Sequence, residues 1–130
     1  MAQSALGFLL RDLREERELT LRELAQLAEI DHAYVHRLET GAKESPSEDV
    51  IAKLTRGLRA AKREAEMMKF LAVNTATEVG VVEFVRKDPT VTFDEFTGLA
   101  SMAFRGTGRP DYATRLARVR RFLKEEDDDG

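Results

Sequence analysis

Residues 20–41 of the 130-residue chain decide the fold, and they read TLRELAQLAEIDHAYVHRLETG. Thr20 and Glu23 have the spacing of a capping box, in which each side chain accepts a hydrogen bond from the other residue's backbone amide. Asp31 is a favourable N-cap for a second short helix, and Gly41 can adopt the left-handed conformation that ends it. The stretch therefore predicts two short helices that follow one another closely.

Apolar residues recur at helical spacing on both sides of this stretch, which predicts an all-α chain. Before it, Leu6, Leu9, Leu10 and Leu13 mark a first amphipathic helix that ends near Glu18. After it, the run SPSE at residues 45–48 has the spacing of another capping box, with Pro46 at the first helical position. Strong helix formers from residue 60 to about residue 73 then indicate a fifth helix.

The second half of the chain contains one ambiguous segment, residues 79–87. Its valines favour a strand by composition, but an isolated strand would have no pairing partner, so we predict a helix. Thr92 and Glu95 form a capping box for the next helix. The last helix begins near Asp111 and precedes a solvated acidic tail. The sequence thus predicts an all-α fold, with a five-helix domain over residues 1–74 and a small helical domain over residues 75–130.

The charge balance limits the possible functions. With 21 Lys and Arg against 24 Asp and Glu, the formal charge is −3, so any contact with nucleic acid must be local rather than through bulk positive charge. Five consecutive acidic residues, 125–129, account for much of this charge. The absence of cysteine excludes disulfides, Cys-based zinc sites and a cysteine nucleophile. Short apolar runs and the lack of a signal-peptide pattern predict a soluble cytoplasmic protein with no membrane segment.

Several groups of residues carry a family resemblance: the run from Leu13 to Ala25, the pair Ile30-Asp31, Val35, the run LETG at 38–41, and Pro46-Ser47. With this spacing, residues 6–58 resemble the Cro/CI (Xre) family of helix-turn-helix regulators. The resemblance implies that the helix from about Asp31 to Thr40 enters the major groove of a double-stranded DNA operator. It also implies a homodimer that binds two half-sites about one helical turn apart.

The same resemblance implies roles for individual residues. Arg14 is expected to pair with Glu39 and so tie the first helix to the recognition helix. Base-edge contacts are expected from His32, Ala33 and Arg37, with His36 beside them, and nearby positive charge from Arg22 and Lys43. Two positions depart from the family pattern. Leu21 stands where the family often has a phosphate-binding glutamine, and Glu29 stands where it has the turn glycine.

Other chemistry has little support in the sequence. His32 and His36 are four residues apart on one helix, a spacing that can bind zinc, but a third ligand would have to be an Asp or Glu from elsewhere. No phosphate-binding glycine loop, HExxH motif or serine nucleophile elbow occurs. We therefore predict no enzymatic activity, no metal and no cofactor.

The C-terminal part carries a second resemblance. Residues 88–93, 99–110 and 121–123, with the run FRGTGRP at 104–110, resemble the C-terminal domain of DdrO-type repressors. That resemblance implies a dimeric repressor that an IrrE (ImmA-like) metallopeptidase inactivates by cutting between Phe104 and Arg105. The glycines after this bond would let the chain extend into a protease. The dimer interface would then include an apolar stripe on the last helix, formed by Tyr112, Leu116, Val119 and Leu123.

Two alternatives remain open at this stage. The same helix-turn-helix domain with a short helical tail also occurs in antitoxins, in which the tail binds a toxin and the domain represses the operon. A helix-turn-helix fold used only for protein binding is the third possibility, and the acidic balance keeps it open.

Overall fold

The computed structural model describes residues 3–42, 45–102 and 111–129, with side chains described as far as residue 126. Every regular element in these ranges is a helix, which confirms the all-α prediction. In chain order the helices are α1 (Ala5–Glu16), α2 (Leu21–Ala28), α3 (His32–Thr40), α4 (Glu48–Leu58), α5 (Lys62–Val73), α6 (Val79–Lys87), α7 (Phe93–Ser101) and α8 (Tyr112–Asp129).

Predicted caps explain where α2, α3 and α7 begin. The Thr20 hydroxyl accepts from the Glu23 amide at 3.1 Å, and the Glu23 carboxylate accepts from the Thr20 amide at 2.9 Å. Asp31 accepts from the Ala33 amide at 3.1 Å, and Gly41 ends α3 with φ 86°. The two-helix interpretation of residues 20–41 is therefore confirmed.

In the first half, the predicted start of the fourth helix and the predicted end of the first helix were wrong. The fourth helix begins after Ser47, whose hydroxyl accepts from the Val50 amide, so Pro46 precedes the helix instead of occupying its first turn. Starting there places Glu48 and Asp49 in the first turn, where their charges complement the helix dipole. The first helix ends at Glu16 instead of near Glu18, because Glu18 has the left-handed φ of 55°.

The second half is helical throughout its described regular elements. The ambiguous segment forms α6, and its buried Val81, Val82 and Val85 lie on one face of the helix. The acidic tail was predicted to follow the last helix, but α8 continues through it to Asp129. No glycine or proline interrupts residues 111–129, so nothing in the sequence stops the helix before that point.

Helix α1 lies at the centre of the fold, because it packs against α3, α5 and α6. Buried residues of both halves belong to one hydrophobic cluster, which includes Leu9, Leu38 and Leu54 from the first half and Val82 and Phe96 from the second. The predicted domain boundary coincides with Asn74, the C-cap of α5. The division into two domains stays a prediction, since the hydrophobic cluster continues across this link.

Ion pairs also join the two halves. The guanidinium of Arg86 on α6 donates to Asp12 at 2.9 Å and Glu16 at 2.6 Å on α1, and to Glu64 at 2.8 Å on α5. Arg63 donates to the same Glu64 carboxylate at 2.8 Å. Burial acts to raise the pKa of Glu64, but the two guanidinium groups outweigh it and hold that pKa below its ordinary value. The charged network thus fixes α6 against the first half.

Candidate nucleic-acid interface

The turn between α2 and α3 sets the angle of the two helices. Glu29 closes α2 in the left-handed conformation, with φ 56° and ψ 46°. The Ile30 amide then donates to the Ala25 carbonyl at 2.9 Å, which satisfies an otherwise unpaired group at the helix end. Glutamate in this conformation costs on the order of 1–2 kcal/mol relative to a right-handed one. The fold therefore keeps the tight turn although the glycine expected there is missing.

Helix α3 has one buried and one exposed face. Val35, Leu38 and Glu39 are buried, whereas His32, His36 and Arg37 are exposed. At about 100° per residue, the exposed side chains from His32 to Arg37 span an arc of about 140° of the helix surface. Ala33, the fourth residue predicted to contact bases, lies within this arc and is partly buried. The structure therefore brings all four predicted base-contacting residues to one surface.

A buried ion pair holds α3 against α1. Arg14 donates to the two carboxylate oxygens of Glu39, from Nε at 2.7 Å and from Nη2 at 3.0 Å. Its remaining Nη1 donates to the Leu19 carbonyl at 2.8 Å. The hydrogen bonds that Arg14 donates to Glu39 raise the pKa of Arg14 above its ordinary value. Only 5% of the Glu39 side chain and 14% of the Arg14 side chain are exposed, so the pair is shielded from solvent.

Gly7 brings the backbones of α1 and α3 into close contact. A Cβ atom at this position would lie 2.6 Å from the carbonyl oxygens of Leu38 and Glu39. No side chain fits there without moving α3, so glycine is required by the packing. Near the same place, the Gln3 amide donates to the Glu39 carbonyl at 3.1 Å. These contacts fix the C-terminal end of α3.

The N-terminal end of α3 borders a shallow concave surface. Arg22 of α2 and His32 of α3 both line it, together with Gln26, which we did not predict from the sequence. The carboxylates of Glu29 and Asp31 lie at the same surface and reduce its positive charge. Lys43, the other cation predicted to lie near DNA, is outside the described residues.

The tyrosine of α3 was also missed by the sequence analysis. The guanidinium carbon of Arg37 lies over the ring of Tyr34, 5.7 Å from the ring centroid. The three-residue spacing of these side chains on one helix was the available signal, since such pairs are neighbours on a helix surface.

The stripe predicted for the dimer interface packs within its own chain. The Tyr112 hydroxyl donates to Glu78 at 2.9 Å, and burial together with that carboxylate raises the pKa of Tyr112 to about 12. Leu116 and Val119 are buried, and Leu123 is partly buried against the core. These four residues therefore form a contact inside the chain, and their role in a dimer stays a prediction. The predicted cleavage site, Phe104 and Arg105, is outside the described residues.

The histidine pair gains no further ligand. His32 and His36 are both exposed, and within residues 3–42, 45–102 and 111–126 no three His, Asp or Glu side chains gather as a metal site would require.

Among the described helices, none combines the length and the apolar character needed to cross a membrane.

Part of the chain is similar to a known protein family and to a solved structure. Residues 5–67 match the family described as a helix-turn-helix domain, so the protein carries a helix-turn-helix domain at its N-terminal end. No curated protein matches the chain. Among solved structures, the chain is similar to the clp gene regulator ClgR from C. glutamicum. The two share 32% sequence identity over 55% of this chain and 88% of the other, with a TM-score of 0.44.

Proposed function

We propose that this protein is a sequence-specific transcriptional regulator whose helix α3 reads the major groove of double-stranded DNA. The observation that carries the proposal is the exposed face of α3, which presents His32, His36 and Arg37 while a buried ion pair fixes the helix to α1. A helix is narrow enough to enter the major groove, where each base pair displays a distinct pattern of donors and acceptors. Fixing the helix lets these side chains meet the bases in one register.

The exposed side chains suit base recognition in different ways. Arg37 can donate two parallel hydrogen bonds to the O6 and N7 atoms of guanine. His32 and His36 can each donate or accept a hydrogen bond at a base edge. We expect Arg22, which lines the concave surface at the start of α3, to contact the phosphate backbone, and such a contact positions the protein without adding sequence information.

The charge of this surface favours binding as a dimer. Glu29 and Asp31 lie close to Arg22 and His32, so a single domain has little excess positive charge with which to bind phosphates. Two domains joined in one dimer would bind two half-sites, and the second contact would benefit from a high effective concentration. Leu116 and Val119 of α8 are buried within a single chain, whereas Phe122 of the same helix is exposed and so available to a partner.

We further propose that the regulator is a repressor that proteolysis between Phe104 and Arg105 inactivates, as the C-terminal resemblance implies. The packing of α8 indicates what such a cut would do to this helix. Helix α8 packs on α7, and a Cβ at Gly98 would lie 2.7 Å from the nearest methyl carbon of Val119. A chain cut before residue 105 keeps α8 only through non-covalent contacts, which include this packing and the hydrogen bond from Tyr112 to Glu78, so the cut can release the helix from the C-terminal half.

DNA binding is tested with a duplex taken from the protein's own promoter, in a gel-shift assay at 50 and 200 mM salt. We expect a shifted complex whose affinity falls about 10³-fold or more if six or more phosphates are contacted. Arg37→Ala should weaken the complex, whereas Arg118→Ala, which removes an exposed arginine of α8, should not. An affinity that does not fall with salt would contradict the proposal, as would equal effects of the two variants.

Cleavage is tested separately, by incubating the full chain with an IrrE/ImmA-like metallopeptidase and measuring the product masses. The expected fragments end at Phe104 and begin at Arg105. Phe104→Asp should prevent the cut, whereas the control variant Leu27→Asp, at an exposed apolar residue of the first half, should leave it unchanged. A chain that stays intact under conditions that relieve repression would refute the proteolytic switch and leave the DNA-binding proposal standing.

A further inference from the structure

The ring of Tyr34 contacts the arginine on which base recognition depends. The guanidinium carbon of Arg37 lies over that ring at 5.7 Å from its centroid, within the range of a cation–π interaction. Tyr34 is half-buried and packs against the hydrophobic cluster, so the ring has a fixed place on α3. Arg37 itself is exposed. A fixed ring therefore borders a long, otherwise adaptable side chain.

A cation–π contact does not occupy the hydrogen-bonding groups of an arginine. A guanidinium is planar, and its five N–H donors lie in that plane. A cation–π contact draws on the positive charge of the group and consumes none of these donors. A bidentate contact with guanine uses the donors at the edge. The two interactions are therefore compatible and can be made at the same time.

We propose that Tyr34 is a positioning residue, which holds the guanidinium of Arg37 in place before DNA binds and thereby increases discrimination at the base pair that Arg37 reads. This inference rests on the proposed function. Without the ring, Arg37 would have to be immobilised when the complex forms, and the lost side-chain freedom would weaken the specific contact. A role confined to Arg37 leaves the phosphate contacts unchanged, so the dependence of binding on salt should stay the same.

The first test measures the contact in the free protein and needs no DNA. Ring currents shift protons that lie over an aromatic face, so the side-chain protons of Arg37 should show displaced NMR resonances. We expect the displacement in the natural protein and in Tyr34→Phe, which keeps the ring, and its loss in Tyr34→Leu, which keeps apolar bulk. Equal Arg37 resonances in Tyr34→Leu and the natural protein would overturn the proposal.

The second test measures discrimination with a duplex selected from a random library by the natural protein. Tyr34→Leu should lower the preference for that duplex over its single G·C-to-A·T variants by about two- to fivefold at one position, the size of an exposed cation–π contact. Tyr34→Phe should keep the preference. In an Arg37→Ala background, the Tyr34→Leu effect should disappear. Thermal melting of each variant checks that the fold is intact.

The outcomes separate this inference from the proposed function. A natural protein that selects no duplex would refute the proposed function, and the NMR result would still decide whether Tyr34 orders Arg37. A selective natural protein with an equally selective Tyr34→Leu would refute the positioning role alone. A Tyr34→Leu effect that persists without Arg37 would show that Tyr34 acts through its own DNA contact or through packing, and would also overturn the inference.

Discussion

The Arg14 and Glu39 pair gives the most specific test of how α3 is held. Arg14→Met removes the cation and leaves a carboxylate of which only 5% is exposed, without the two hydrogen bonds at 2.7 and 3.0 Å. Breaking a buried pair by removing one partner costs about 3–5 kcal/mol. Because 14% of Arg14 is exposed and water can reach the site from that side, we expect the lower end, about 3 kcal/mol.

The double variant distinguishes a coupled pair from two independent residues. Replacing a buried ion pair by apolar residues of similar volume is often neutral or stabilising. Arg14→Met with Glu39→Met should therefore cost less than the sum of the two single variants, by a coupling energy of about 2 kcal/mol. The Leu19 carbonyl loses its donor in both Arg14 variants, so this loss cancels from the coupling energy.

Urea unfolding followed by circular dichroism measures these free energies of unfolding. The loss of about 3 kcal/mol expected for Arg14→Met is easy to detect, because small domains have total free energies of unfolding of about 5–15 kcal/mol. The matched control pair is Arg11 and Glu15, an exposed i, i+4 ion pair on the same helix with a 2.6 Å contact. Its coupling should be about 0.5 kcal/mol or less. Additive effects at Arg14 and Glu39, within about 0.5 kcal/mol, would refute the view that this pair fixes α3.

Three other predictions address the turn, the α7–α8 contact and the ion network. Glu29→Gly should raise the free energy of unfolding by about 1 kcal/mol, because glycine adopts the left-handed conformation without strain. Glu29→Gln removes only the charge and should change the free energy of unfolding by less than about 0.5 kcal/mol. Equal effects of the two variants would contradict the idea that Glu29 is strained. Gly98→Ala should lower the free energy of unfolding by about 1–3 kcal/mol, because the new Cβ would lie 2.7 Å from Val119. Adding Val119→Ala to the same chain should restore part of this stability, as measured by thermal melting. If Val119→Ala restored no stability, the contact with Val119 could not be the cause of the loss. The pKa of Glu64 is lower in the folded protein, so the stability it adds is present above its ordinary pKa of 4.5 and is lost as the pH falls through the folded pKa. Unfolding experiments between pH 7 and pH 3 should show a smaller acid-induced loss in Glu64→Gln than in the natural chain, and identical pH profiles would refute this role.

Local signals in the sequence located the starts of α2, α3 and α7. The capping residues Thr20, Asp31 and Thr92 act on amides within three positions of themselves, so spacing alone identified them. Ser45 and Ser47 both precede α4, and residue type alone does not show that Ser47 is the one whose hydroxyl accepts from the first turn, at the Val50 amide. For the same reason the valines of α6 left its structure ambiguous, since burial against α1 decided between strand and helix.

Contacts between distant residues could not be predicted from spacing. Arg86 contacts Asp12 across 74 positions of sequence, and no local pattern relates the two. The pairing of Arg14 with Glu39 was expected only through the resemblance to the Cro/CI family. The apolar stripe of α8 was visible as a pattern, but a pattern shows that a face is buried without showing which surface covers it.

The central claim is that the exposed face of α3 reads bases. The most direct measurement selects a duplex from a random library with the natural protein and then compares dissociation constants for that duplex and its single-base-pair variants. We predict that Arg37→Ala loses about tenfold or more of the preference at one G·C pair and keeps the preferences at other positions, since one bidentate contact is worth about 1–3 kcal/mol. An Arg37→Ala protein that keeps the full preference at every position, or a natural protein that prefers no sequence, would contradict the claim.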